Sequence, residues 1–433
     1  MKEFQKVIAL ALCLVLVTGL FAGCGKKQDA AVADAAPAAD KKTEETGEKA
    51  VQPDEATVPP VIIACGWGTI GEQELLQQQY YQEVLAPGLN IKFIFSPVLS
   101  SDEETVDFLE NAAAQGAVGF MDMASSNKDS ADIIAEKCDE LGIYDASWMP
   151  GVATESKYFV GMVTADGQYM ATAFYEMLTG DLKDDGETHS MVLLNYGAKN
   201  FNPKHLYTSI GALNAFNDIY SLGWSEDDVY SLATTNKRLY VDTGRDDVKI
   251  CIDPATQNLN ETCSELLKGG EYDVLVAPDS FYLQITTAIA EAEQAIGKDV
   301  KVYCNSNIVS ATQAAFDTKD PYGNASLNQC MLKSSANGVV LMAILLNAVY
   351  GDRDAVLTAD GNYLLYNIRF MRSSSAEDYA RIAKIDHDGN WMFSLDAFKQ
   401  MLKPFNDQLT SEWLQNYIND NVGFETVMER LGL

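Results

Sequence analysis

One stretch of the chain, residues 272–307, constrains the fold more than any other because it spells a strand, a helix and a second strand. Val274–Ala277 is a short apolar run typical of a strand buried on both faces. Asp279 follows two residues later with a side chain suited to opening a helix, and Gly297 ends the helical pattern. Val300–Cys304 is the second apolar run. A unit of this kind places its strands parallel in one sheet.

The same alternation runs through the chain in two series. The first series predicts strands at Val61–Cys65, Ile91–Phe95, Ala117–Met121 and Ile143–Ser147. The second predicts strands at Phe159–Val163, Met191–Asn195, Val248–Ile252, Val274–Ala277 and Val300–Cys304. Helical patterns separate most of these strands, so the sequence predicts an α/β protein with two parallel-sheet lobes. Ligands of such sheets bind at the carboxyl ends of the strands.

The net charge of the chain limits the kinds of molecule that it can bind. The 433 residues carry a net charge of −31, which argues against nucleic acid and anionic membrane surfaces as partners. We interpret the acidity as an aid to solubility outside the cell. The alternative is an acidic rim that attracts a cationic ligand.

The N-terminus is typical of an export signal. Lys2 and Lys6 precede an apolar run, Val7–Phe21, that is too short for a comfortable membrane span. The sequence around Cys24 resembles a bacterial lipobox, in which the cysteine is acylated and anchors the mature protein. We therefore predict a signal peptide over residues 1–23 and a location on the outer face of the cell membrane. Residues 24–59, poor in aromatic residues and rich in Ala, Asp, Glu, Lys and Pro, predict a disordered tether.

Catalytic and metal-binding chemistry is not predicted. Gly66–Gly71 fits a dinucleotide-binding glycine pattern, but the next strand lacks the acid that should end it. Ser125–Lys128 fits an acyl-enzyme motif whose companion motifs are missing. The chain has three histidines and no closely spaced cysteine pair, so neither a metal nor a cofactor is expected. The cysteines that follow Cys24 are predicted to be mostly free, buried thiols; they are Cys65, Cys138, Cys251, Cys263, Cys304 and Cys330.

Three stretches stand in a characteristic order. Asp273–Ser280 ends a strand with an acid, Val302–Ser306 ends the next strand near Asn305, and Gln329 lies nine residues before Gly338. Together they resemble the ribose- and galactose-binding class of type I periplasmic binding proteins, which serve ABC transporters. The resemblance implies two Rossmann-like lobes joined by a hinge that the chain crosses three times. The implied divisions are a first lobe of residues 60–161 plus 333–350, a second lobe of 162–332, and an extension of 351–433 packed on both.

The chain also departs from that class. Many relatives carry Asp-Arg where this sequence reads Ser147–Pro150. The arginine that relatives place after a second-lobe strand has no obvious match, and Lys204 and His205 lie in that region. Asn305 stands where relatives have an acid. These differences predict a less charged pocket and leave the identity of the sugar open.

Candidate ligand contacts follow from these positions; they are Trp67, Ser125, Trp148, Asp279, Asn305 and Gln329. Tryptophan rings stack on sugar C–H faces, although core packing is the alternative for both. Asp279 and Ser125 can bind hydroxyls or cap helices. The amides of Asn305 and Gln329 offer both a donor and an acceptor, either to a sugar or to backbone at the hinge.

The resulting prediction is a lipid-anchored solute-binding protein, monomeric and not an enzyme. It captures a small polar ligand by hinge closure and delivers it to an ABC permease. A sugar is the first choice of ligand. A nucleoside or a cationic metabolite is the alternative ligand. A membrane sensor kinase is the alternative partner.

Overall fold

The computed structural model describes residues 58–149, 156–195, 203–254, 258–279 and 282–433. The predicted signal peptide, Cys24 and nearly all of the predicted tether lie outside these residues. None of the helices in the described ranges combines the length and the apolar character that crossing a membrane requires.

Strands and helices alternate along most of the described chain. The strands are β1 (Val61–Trp67), β2 (Ile91–Val98), β3 (Gly119–Met123), β4 (Tyr144–Ser147), β5 (Phe159–Ala165), β6 (Met191–Leu194), β7 (Leu239–Val241), β8 (Ile250–Asp253), β9 (Val274–Ala277), β10 (Lys301–Asn307), β11 (Gln329–Lys333), β12 (Leu364–Ile368) and β13 (Met371–Ser373). The main helices are α1 (Glu72–Tyr80), α2 (Asp102–Ala114), α3 (Lys128–Leu141), α4 (Gly167–Leu182), α5 (Pro203–Tyr220), α6 (Glu226–Ala233), α7 (Leu259–Lys268), α8 (Tyr282–Ile296), α9 (Ser310–Asp317), α10 (Ala336–Val349), α11 (Ala376–Ile382), α12 (Leu395–Lys399), α13 (Ser411–Asn421) and α14 (Phe424–Leu431).

The first lobe is built on a parallel sheet in the order β12-β5-β4-β3-β1-β2. Side chains alternate between its two faces, as they must along a strand. Ala64 and Phe120 pack with α2 and α3, whereas Cys65 and Met121 pack in the cluster that contains α10. Both faces are therefore covered, which explains why β1 and β3 read as nearly continuous apolar runs.

The second lobe is built on a sheet in the order β13-β11-β10-β9-β6-β8-β7, parallel except for its two edge strands. The predicted pairing of β9 with β10 is confirmed, with Ala277 opposite Cys304. Helices α4 and α5 cover one face and contribute Phe174 and Phe216 to its core. Helices α7 and α8 belong to the cluster on the other face. The two sheets confirm the predicted α/β architecture of two lobes.

The chain passes between the sheets after β5, after β11 and between β12 and β13. The predicted lobe boundary at residue 161 falls inside β5, which stays in the first sheet as far as Ala165. The backbone N–H of Asp166 donates to the carbonyl of Ile368 at 2.9 Å, so two of the crossings are hydrogen-bonded to each other. A hinge of adjacent segments follows from this arrangement.

The predicted extension, residues 351–433, supplies a strand to each lobe. β12 is the edge strand of the first sheet, and β13 is an edge strand of the second. Beyond them, the Tyr379 hydroxyl donates to the carbonyl of Val309 in the second lobe at 2.7 Å. The ring of Trp391 lies 5.4 Å from that of Tyr80 in the first lobe. The extension thus packs on both lobes and completes both sheets.

The cysteines of the folded part are free and buried, as predicted; they are Cys65, Cys138, Cys251, Cys263, Cys304 and Cys330. Burial raises the pKa of Cys251 to about 11 and that of Cys263 to about 12. These thiols stay protonated near neutral pH and act as small apolar side chains.

Candidate functional site

The carboxyl ends of the strands in the two sheets meet across a cleft between the lobes. Glu72, which follows β1, accepts hydrogen bonds from the backbone N–H of Ser310 at 3.0 Å and from its hydroxyl at 2.9 Å. Ser310 follows β10 in the second lobe. Gln73 Nε2 donates to the carbonyl of Lys333, the last residue of β11, at 3.0 Å. The strand ends that the sequence predicts to carry the ligand site therefore face one another.

Asp279 lies on the second-lobe wall of the cleft, just beyond the end of β9. Its φ of 52° is left-handed, a conformation that aspartate tolerates better than most residues. Its backbone N–H donates to Asn305 Oδ1 at 2.7 Å, and Asn305 Nδ2 donates to Thr208 Oγ1 at 3.0 Å. The side chain of Asn305 thus joins the ends of β9 and β10 to helix α5.

The carboxylate of Asp279 is held by two basic side chains at the start of α5. Lys204 Nζ donates to one oxygen, and His205 Nε2 lies 2.6 Å from the other. Burial would raise the pKa of Asp279, but the charges and hydrogen bonds of Lys204 and His205 outweigh burial and hold the pKa well below its usual range. Asp279 is consequently ionised, and each oxygen retains lone pairs that can accept a hydroxyl.

Lys333 brings a further positive charge to the hinge end of the cleft. Its ammonium lies 5.1 Å from the centre of the Trp148 ring, within the range of a cation–π contact. Desolvation lowers the pKa of Lys333 to about 8, and the nearby charge of Lys204 adds to that effect. Basic side chains from α5 and β11, those of Lys204, His205 and Lys333, therefore come together around Asp279.

Trp148 and Ser125 lie together on the first-lobe wall, beyond the ends of β4 and β3. The Trp148 indole N–H donates to the carbonyl of Ser125 at 2.8 Å. The turn that carries Ser125 is fixed by buried Asp122, whose carboxylate accepts the backbone N–H groups of Ala124 and Ser125 at 3.0 Å. The Ser147 hydroxyl donates to the other oxygen of Asp122 at 3.0 Å. A fully buried acid therefore sets the position of both predicted contacts.

Trp67 is the last residue of β1 and is almost wholly buried, with 1% exposure. Its backbone N–H donates to Ser96 Oγ at 2.9 Å. The indole N–H, Trp67 Nε1, is buried and meets no acceptor within the described residues. This residue lies at the edge of the cleft but packs into the core of the first lobe.

Gln329 lies apart from the other predicted contacts. It is the first residue of β11, whereas Lys333 at the other end of the same strand lies at the cleft. Gln329 Nε2 donates to Asp181 Oδ2 at 2.8 Å, and its Oε1 accepts from Arg372 Nε at 2.9 Å. The structure places Gln329 at the amino edge of the sheet, since a five-residue strand separates its two ends by about 13 Å.

A search of solved structures finds this architecture in transport proteins. An ABC transporter solute-binding protein from Bacillus halodurans, solved with bound myo-inositol, aligns with a TM-score of 0.50 at 13% identity, covering 76% of this chain and 99% of that one. The fold is that of the type I periplasmic binding proteins.

Two further solved structures align with lower TM-scores. A glucose-galactose binding protein from Geobacillus stearothermophilus has a TM-score of 0.48 at 13% identity, covering 74% of this chain and 99% of that one. A 5-methylthioribose transporter solute-binding protein from Thermotoga lettingae has a TM-score of 0.47 at 13% identity, covering 85% of this chain and 99% of that one. No protein-family model and no curated protein matches the sequence. At these identities the likeness shows the type I fold alone.

Sequence reasoning missed two residues that shape the cleft, Asp122 and Lys333. Asp122 follows an apolar strand and gives no signal in the sequence beyond its place at a strand end. Lys333 ends a strand that the sequence analysis does not predict. A strand prediction over Gln329–Lys333 would have placed the lysine, and not the glutamine, at the carboxyl edge.

Proposed function

We propose that this protein is an extracytoplasmic solute-binding protein that captures a sugar or related polyol between its lobes and delivers it to an ABC permease. The observation that carries the proposal is the contact of the Trp148 ring with the Lys333 ammonium, 5.1 Å apart, between facing strand ends that also carry the ionised carboxylate of Asp279. Sugars present both an apolar C–H face and hydroxyls, so they suit a ring beside fixed donors and acceptors.

Capture needs no covalent chemistry. The lobes close about the adjacent hinge segments, and the ligand is held by side chains from both walls. We assign direct contact to Trp148, Ser125 and Asp279. Trp67 and Asn305 support these residues from behind, through the core of the first lobe and the backbone of Asp279. The type I fold of transport proteins supports a binding role over catalysis.

A ligand screen tests the proposal. We expect the melting temperature of the full chain to rise with at least one sugar or polyol, because a ligand at 100 times its Kd stabilises the native state by about 2.7 kcal/mol. Trp148→Ala should weaken that sugar about tenfold, since an aromatic contact contributes roughly 0.5–1.5 kcal/mol beyond its buried area. Thermal shift identifies the ligand, and titration calorimetry gives the affinity.

Trp413→Ala is the matched control for that screen. Trp413 is also partly buried, but it stacks on Tyr417 at 4.9 Å in the extension. The Trp413→Ala substitution should leave the sugar affinity unchanged. Stabilisation by nucleosides or amines alone, with no sugar effective, would contradict sugar capture; equal losses in both variants would contradict the assignment of Trp148.

We further propose that Cys24 is acylated and that it anchors a monomeric protein on the outer face of the membrane, close to its permease. The lipobox-like sequence around Cys24 and the preceding apolar run support this proposal. Cys24→Ala should release the protein from the membrane fraction on sedimentation, whereas Cys13→Ala, within the signal peptide, should not. Retention of the Cys24→Ala protein in the membrane would mean that another segment holds it.

A further inference from the structure

Lys333 is a cleft lysine whose ammonium has no ionic partner among the residues that the structure describes. The charged nitrogen lies 5.1 Å from the ring centre of Trp148, and in the described part of the chain it makes neither a hydrogen bond nor an ion pair. The side chain is only partly exposed. A cation that is withdrawn from water without an anion is destabilised. An incoming anionic group would relieve that cost.

The two acids whose charges act on Lys333, Asp279 and Glu74, bind other groups. Asp279 already binds Lys204 and His205 through its two oxygens. Glu74, the other acid whose charge reaches Lys333, accepts the backbone N–H of Gly71 at 3.0 Å. Neither carboxylate contacts the Lys333 ammonium. Positive charge at the hinge end of the cleft is therefore only partly matched by the protein itself.

The positive charge of Lys204 also acts on Lys333. The charge of Lys204 contributes to the lowered pKa of Lys333, and the side chain of Lys204 remains 22% exposed beside Asp279. Proteins often bind an oxyanion between two such ammonium groups in a cleft, since each can donate a charge-assisted hydrogen bond to it.

We infer that the ligand carries an anionic oxygen group, a carboxylate or a phosphate, which Lys333 binds together with Lys204. The inference rests on the proposed function and names the class of sugar: a sugar acid or a sugar phosphate. The chain's net charge of −31 does not oppose it, because charges further than about 8 Å away are largely screened at physiological ionic strength. The ring of Trp148 is left to pack against the sugar and the lysine stem.

The experiment compares matched ligands on the full chain purified in detergent. Calorimetry measures galactose, galacturonate and galactose 6-phosphate against wild type, Lys333→Met and Lys333→Arg. We expect wild type to bind one anionic ligand at least tenfold more tightly than galactose. Lys333→Met should weaken that ligand about 10- to 100-fold, the usual effect of losing a charge-assisted hydrogen bond, and should spare galactose. Lys333→Arg should keep the preference.

Lys92→Met makes the same change of net charge at an exposed site on β2 and should preserve the preference. Galacturonate or the phosphate as the tighter ligand identifies the anionic group. Equal binding of galactose and both anions by wild type overturns the inference and leaves sugar capture standing. An anion preference that survives Lys333→Met overturns the role of Lys333. If no sugar or polyol in the thermal-shift screen binds, whatever its charge, the proposed function itself fails, and the inference fails with it.

Discussion

A chain that ends after Tyr350 is expected to lose the cooperative unfolding transition of the full-length protein. The truncation removes β12, which pairs with Gly161–Ala165 of the first sheet, and β13, which pairs with Cys330–Leu332 of the second. It also removes apolar side chains that are fully buried; these include Tyr366, Ile368, Tyr379, Ile382, Phe393, Phe398, Leu402, Leu414 and Ile418.

The size of this effect follows from the buried area. Each such side chain contributes about 1.5–3 kcal/mol when it is taken out of water. Typical domains are stable by only about 5–15 kcal/mol, so the loss of all nine residues is comparable to or larger than the whole margin. Thermal melts followed by circular dichroism, with gel filtration for aggregation, measure the outcome.

Two milder changes serve as controls. A chain ending after Leu431 loses only Gly432 and the half-buried Leu433 and should keep a cooperative transition, slightly below that of wild type. Tyr379→Phe removes the hydroxyl that accepts the backbone N–H of Val309 at 2.8 Å and donates to its carbonyl at 2.7 Å. It should cost about 1–2 kcal/mol, as expected for two hydrogen bonds with net contributions near 1 kcal/mol. A stable, cooperative protein truncated after Tyr350 would show instead that the extension is an addition to finished lobes.

Most strands of the fold are predictable from the sequence, but β7, β11, β12 and β13 are not. Strands buried on both faces leave apolar runs, and β1, β3, β9 and β10 were found where such runs stand. β12 reads Leu-Leu-Tyr-Asn-Ile and β13 reads Met-Arg-Ser. Such short, mixed segments have no distinctive pattern, since their pairing is set by the sheet edge that they meet. The role of the extension was therefore invisible in the sequence.

Some features of the candidate site are likewise predictable from the sequence, and others are not. Asp279 and Trp148 could be placed at strand ends because they follow apolar runs directly. The contacts between Asp279 and Lys204 or His205 join residues far apart in the chain, and no local pattern encodes them. Gln329 lies at the amino end of β11, away from the residues of the cleft. Spacing from a family landmark fixes a residue along the chain but not the direction of the strand that carries it.

Replacement of the buried, titratable residue His189 is expected to destabilise the folded protein strongly. It is 1% exposed, with Nδ1 2.9 Å from Asp273 Oδ2 and Nε2 2.8 Å from Asp185 Oδ2. Only the doubly protonated ring donates to both carboxylates. Lys298 and Lys301 also bind these acids, each at 2.8 Å. His189→Leu leaves each carboxylate with its lysine but without the histidine and should cost about 1.5–3 kcal/mol of unfolding free energy, the usual contribution of a hydrogen bond to a charged group.

The pH dependence of this cluster follows from opposite pKa shifts. Desolvation would lower the pKa of His189, but its bonds to Asp273 and Asp185 and their charges outweigh it and raise the pKa above 6.5. Desolvation is likewise outweighed at Asp185, where the bonds from Lys301 and His189 lower the pKa to about 2. The histidine thus stabilises the fold fully below pH 6.5 and loses its effect as pH rises through its folded pKa. The aspartates stabilise it above their usual pKa of 3.8 and lose their effect as pH falls further.

Stability from this cluster is therefore greatest between about pH 4 and 6.5. Urea unfolding of wild type across pH 5–9 should show a decline above that window, because the unfolded chain releases the histidine proton first. His189→Gln removes the titrating group and should flatten the decline, whereas His387→Gln, at the partly exposed turn of the extension, should preserve it. Equal declines in wild type and His189→Gln would mean that folding does not raise the pKa of His189. In that case the bonds to Asp273 and Asp185 do not stabilise the protonated ring beyond the cost of its desolvation.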